Sequence, residues 1–83
     1  MATYIDVHVG MKGMTHEQLA AEHQKDLDLE RPHGVHFAKA WADPESGRVF
    51  CLSEAPSKEA VRKVHQAAGH PADEIFELPL SVG

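Results

Sequence analysis

Eighty-three residues suffice for one domain and are too few for two. A chain this short buries only about 60% of its unfolded surface, so pairing with a second copy is the expected way to gain core. The formal charge of −5, from 8 basic and 13 acidic residues, leaves no basic stripe for nucleic acid, and no apolar run is long enough to span a membrane.

The segment MATYIDVHVG lacks the basic start and apolar core of a secretory signal, and the lone Cys51 has no intrachain disulfide partner. Both features set the expectation of a reducing cytoplasm. Residues 3–9 alternate strictly, with Ile5, Val7 and Val9 on one face and Tyr4, Asp6 and His8 on the other. Period two with β-branched residues predicts a strand whose buried face is the Ile5 side. A glycine-punctuated loop, GMKGM, follows, and Thr15 with Gln18 three residues on forms a capping box that starts a helix. This helix is expected to run to about Glu30, ending before Pro32 and Gly34, with Leu19, Ala20, His23 and Leu27 turned inward.

GVHFAKAWAD (34–43) reads as a second strand, with Val35, Phe37, Lys39 and Trp41 on one face. The DPESG turn joins it to a third strand, RVFCLSEA (48–55), in a hairpin that pairs Trp41 with Val49, Lys39 with Cys51, Phe37 with Ser53 and His36 with Glu54. Ser57 caps a second helix whose inner stripe is Ala60, Val61, Val64, His65 and Ala68, and Gly69 stops it. The last strand is EIFELPL (74–80), where Pro79 marks an edge or an end. The order βαββαβ, with two amphipathic helices, predicts a single α+β ferredoxin-like domain over residues 1–83: an antiparallel sheet carrying both helices on one face and leaving the other open.

Seven histidines nearly equal the lysines and arginines together, and no two are adjacent. Imidazole is the commonest metal ligand, so metal binding is the first functional expectation. The candidate ligands are His8, His23, His36, Cys51, His65 and His70. His23 lies on the inner helix face with Asp26 one turn away; it reads either as a half-buried core histidine or as a ligand. His65 and His70 bracket a helix end at i, i+5, outside the i, i+4 chelating spacing, but the chain leaves the helix between them and can fold back. His8 and His36, with Asp6 and Glu54, gather on the open sheet face if that face is the polar one. Mixed imidazole and carboxylate donors suit nickel, zinc, cobalt or iron. His16 and His33 read as solvated surface residues, and Met11 and Met14 as loop packing. No Walker loop, dinucleotide fingerprint, HExxH or CxxC occurs.

The run WADPESGRVFCLSEAPSKEAVRKVHQAAGHPADEI (41–75), together with EHQKDL (22–27), resembles a family of small bacterial ferredoxin-like proteins that includes dimeric nickel binders. The resemblance implies Ni(II) bound on the surface of a homodimer, for sequestration or tolerance. Other divalent transition metals suit the same donors. His23, Cys51, His65 and His70 fall within the matching segments; His8, His16 and His33 fall outside them. Two other readings stand beside this one. The first is a small-ligand binder or enzyme with a pocket near His23, Cys51 and Tyr4; the second is an interaction module whose histidines hold no metal.

Overall fold

The computed structural model describes residues 1–83. Its elements are β1 (Ala2–His8), α1 (His16–Leu29), a 3-10 turn (Arg31–His33), β2 (His36–Asp43), β3 (Arg48–Ala55), α2 (Lys58–Ala67) and β4 (Glu74–Glu77). Both helices start at their hydroxyl caps. Gln18 N–H donates to Thr15 Oγ1 at 3.2 Å while Thr15 N–H donates to Gln18 Oε1 at 2.9 Å, the reciprocal pair of a capping box. Ser57 Oγ accepts from Ala60 N–H at 3.2 Å.

The strands form one antiparallel sheet in the order β2-β3-β1-β4, with both helices over one face, which is the ferredoxin-like arrangement. β4 is an edge strand and stops at Glu77, short of Pro79. No helix is long and apolar enough to cross a membrane.

The face of β1 is reversed from the expectation. Tyr4, Asp6 and His8 are the buried residues of β1, while Ile5 and Val7 are partly exposed and Val9 is exposed. Hydropathy alone places isoleucine and valine inside. Here the polar row goes inward because Asp6 meets His65 of α2 and His8 meets the Pro71 carbonyl beyond that helix, and a paired buried charge is tolerated where an unpaired one is not.

The helix-facing rows across the sheet are Phe37–Ser53–Tyr4 and Ala40–Cys51–Asp6–Ile75, with His8 beside Val49. The opposite face carries Lys39–Leu52–Ile5–Phe76 and Trp41–Phe50–Val7. Its aromatics stay open to solvent, Trp41 at 41% and Phe76 at 47%.

Hairpin register is as expected at His36–Glu54 and Phe37–Ser53 and shifts by one beyond them, so Ala40 rather than Lys39 faces Cys51. An irregularity between Phe37 and Lys39 inserts one residue, the effect of a β-bulge. It turns Ala40 and Ala42 toward the helices and sends Lys39 and Trp41 to the open face.

Candidate metal centre

Helix α1 contributes Glu22 and Asp26, four residues apart and therefore on one face. Asp26 is the one fully buried residue of this helix, at 1% exposure. Helix α2 contributes His65, fully buried, and its C-terminal turn brings in His70. Ala68 caps the helix and Gly69 follows at φ +84°. Gly69 N–H donates to Gln66 O and His70 N–H to His65 O, both at 3.1 Å. These two bonds make a Schellman motif, which places the side chains of His65 and His70 against each other. The i, i+5 spacing thus becomes a contact, with ring centroids 5.2 Å apart.

The polar side chains form one continuous chain. Glu22 Oε2 accepts from His70 Nδ1 at 2.7 Å, and Asp26 Oδ1 accepts from both His70 Nε2 at 2.7 Å and His65 Nδ1 at 3.0 Å. His65 Nε2 donates to Asp6 Oδ2 at 2.9 Å. Beyond it, His8 Nε2 lies 2.9 Å from Asp6 Oδ1 but out of line for a hydrogen bond, and Oδ1 has no other partner. His8 Nδ1 donates to Pro71 O at 3.2 Å, and Cys51 Sγ stands 3.9 Å from His8 Nε2. Exposure rises along the chain from 0% at Asp6 and His65 to 10% at His70 and 36% at Glu22.

Protons sit where this geometry places them. Burial disfavours a charged His65, yet its bonds to Asp26 and Asp6 overcome that and push its pKa up to about 11. The hydrogen bond to Asp26 likewise raises His70. Burial opposes ionisation of Asp6 and Asp26, but their imidazole partners hold both below the usual carboxylate range. Cys51 is pushed up to about 11 by burial and is a thiol. With a carboxylate oxygen at each nitrogen, the rings of His65 and His70 are both placed as double donors among three carboxylates. One divalent cation carries the charge of two protons.

Two donor groups converge closely enough to hold an ion: Asp26, His65 and His70, and Asp6, His8, Cys51 and His65, the donor atoms of each lying within 4.8 Å of one another. A cavity of about 20 Å³, space for roughly one water-sized group, abuts both and is lined in part by His8, Cys51, His23, Glu22, Asp26 and His70. It accommodates an ion or a water rather than an organic molecule. Met11, Met14 and Leu19 form apolar wall.

Of the six residues singled out from the sequence, His8, Cys51, His65 and His70 come together here and His23 lines the same cavity with a buried, unpartnered Nδ1. His36 does not join them: it is exposed on the other side of the sheet, its Nδ1 3.6 Å from Glu30 Oε1. The expected grouping of Asp6 and His8 with His36 and Glu54 fails because the polar row of β1 faces the helices. Glu22 was missed as a site residue; its i, i+4 relation to Asp26 was the available signal.

Fold and site together define a small ferredoxin-like protein with a buried imidazole–carboxylate–thiol centre fit to bind a transition-metal ion. Residues 4–78 match the family model described as nickel responsive protein SCO4226-like, and the chain belongs to that family. It is similar to the crystal structure of SCO4226 from Streptomyces coelicolor A3(2), with 58% sequence identity and a TM-score of 0.96 over 98% of this chain and 100% of that one. Among curated protein sequences, none matches significantly.

Proposed function

We propose that the protein binds Ni(II) at the solvent-facing end of this network, through His70 Nε2 and Asp26, with Glu22 holding the other ring nitrogen of His70, and that it serves nickel sequestration or tolerance. The observation that carries the reading is Asp26 Oδ1, a buried oxygen shared by two imidazole nitrogens at 2.7 and 3.0 Å, in a group reached through the partly exposed His70 and Glu22. Nitrogen and oxygen donors suit nickel, although the stability order of divalent ions gives copper(II) at least equal affinity. The preference for nickel rests on the family's description as nickel-responsive.

The working unit in this proposal is a homodimer. Only 15 of 83 residues are buried in the single chain, and the apolar rows of the open face are suited to cover a second copy. Calorimetry on metal-free protein at neutral pH tests the metal reading. The expected result is nickel binding tighter than about 100 μM, roughly −5.5 kcal/mol, lost in Asp26→Asn. Weaker binding, or binding unchanged by that substitution, contradicts it.

A further inference from the structure

We propose that Asp6, His8 and Cys51 form a second, separate site that takes a thiophilic divalent ion of the zinc type. Three donor atoms of three kinds converge here in the interior: a carboxylate oxygen, an imidazole nitrogen and a sulfur. They arrive from adjacent positions, because Asp6 faces Cys51 across the β1–β3 ladder and His8 is two residues along the same strand face. Ion–donor bonds of about 2.0–2.3 Å put donors on one ion roughly 3–4 Å apart, and His8 Nε2 lies 2.9 Å from Asp6 Oδ1 and 3.9 Å from Cys51 Sγ.

The second observation is independent of that clustering. Asp6 has no solvent exposure, and its Oδ1 has no hydrogen-bond partner, whereas Oδ2 is held by His65. A buried carboxylate oxygen left unpaired costs about 1–3 kcal/mol or more unless something occupies its lone pair. His8 directs its Nδ1 proton to Pro71 O, which leaves Nε2, in contact with Cys51 Sγ at 3.9 Å, as the ring nitrogen available to an ion. An ion beside Nε2 and Oδ1, which lie 2.9 Å apart, gives the unpaired oxygen its partner.

His65 cannot supply that cation's fourth bond without giving up its bond to Asp6 at Nε2 or to Asp26 at Nδ1. It instead holds Asp6 from behind, as carboxylates and histidines around metal ligands commonly do. The remaining coordination position faces the cavity that His8 and Cys51 line, which has room for one water and links the site to Glu22 and His70. Binding replaces the thiol proton of Cys51, which leaves to solvent, with a sulfur–metal bond.

Cobalt(II) added to metal-free protein tests the assignment, since a thiolate on cobalt gives a near-ultraviolet charge-transfer band that oxygen and nitrogen donors do not. The expected result is a band at one equivalent that zinc(II) bleaches and that Glu22→Gln retains. His8→Gln should weaken cobalt affinity at least tenfold, and Cys51→Ser should abolish the band while nickel binding in calorimetry persists. Absence of the band in the native protein overturns the proposal, as does unchanged cobalt affinity in His8→Gln. Should the variants fail to fold, zinc protection of Cys51 in the native chain decides: at least tenfold slower alkylation supports the site, and an unchanged rate overturns it. The band without nickel binding to the outer residues would refute the proposed function and leave this site standing; the reverse outcome would do the opposite.

Discussion

Replacing His65 with alanine removes the centre of the polar network and should be among the most damaging single changes in the chain. The ring is fully buried, donates to Asp26 and Asp6, and packs 4.9 Å from the Phe37 ring. Its loss strands the buried Asp6 and leaves Asp26 with His70 alone, at a cost of about 3–5 kcal/mol. A chain of 83 residues has roughly 4–12 kcal/mol in total. Urea unfolding of metal-free protein at pH 7 measures the difference, and a loss below about 1 kcal/mol refutes the reasoning.

The native protein supplies a second readout that survives if the variant does not fold. His65 keeps its proton up to about 11 when folded, against about 6.5 when unfolded. Its contribution is therefore complete below pH 6.5 and declines as pH rises toward the folded value. Between pH 7 and 8.5 the folded state holds a proton that the unfolded state has released, so stability should fall by about 1.4 kcal/mol per pH unit. His70, also raised, steepens the decline. A flat profile over this range contradicts the assignment of His65 as a buried imidazolium.

Three further outcomes follow from the same geometry. Imidazole must shed a proton to ligate, and Asp26 and Glu22 make His70 hold its proton more tightly than a free ring does, so nickel affinity by calorimetry should still be rising above pH 7 rather than levelling near 6.5. Gly47→Ala should lower stability by about 1–3 kcal/mol in thermal melts, because φ is +77° and a Cβ would sit 2.8 Å from Lys12 N, in the loop that carries Met11 to the cavity wall. Leu52→Lys, in the middle of the open apolar face, should convert a dimer to a monomer in sedimentation equilibrium without unfolding the chain.

The order of elements was legible because its signals are local: the Thr15 and Ser57 caps, the DPESG turn and the glycine after the second helix each act within a few residues. Helix α2's inner stripe was legible for the same reason, through its three-and-four spacing. The face of β1 was not. Period two says that Tyr4, Asp6 and His8 share a side but leaves open which side is buried, and a partner 59 residues from Asp6 decides it. The bulge in β2 was equally hidden, since Phe37-Ala38-Lys39 carries no glycine to announce it. Histidine number pointed to metal chemistry; the assembly of His65, His70 and Asp26 needed the helix-end turn and the helix–sheet packing in three dimensions.

Anomalous diffraction at the nickel edge, from crystals soaked in nickel at neutral pH, tests the central claim most directly. The expected result is a peak within bonding distance of His70 Nε2 and Asp26. A strong peak confined to His16, His33 or His36, with none at Asp26, would contradict it.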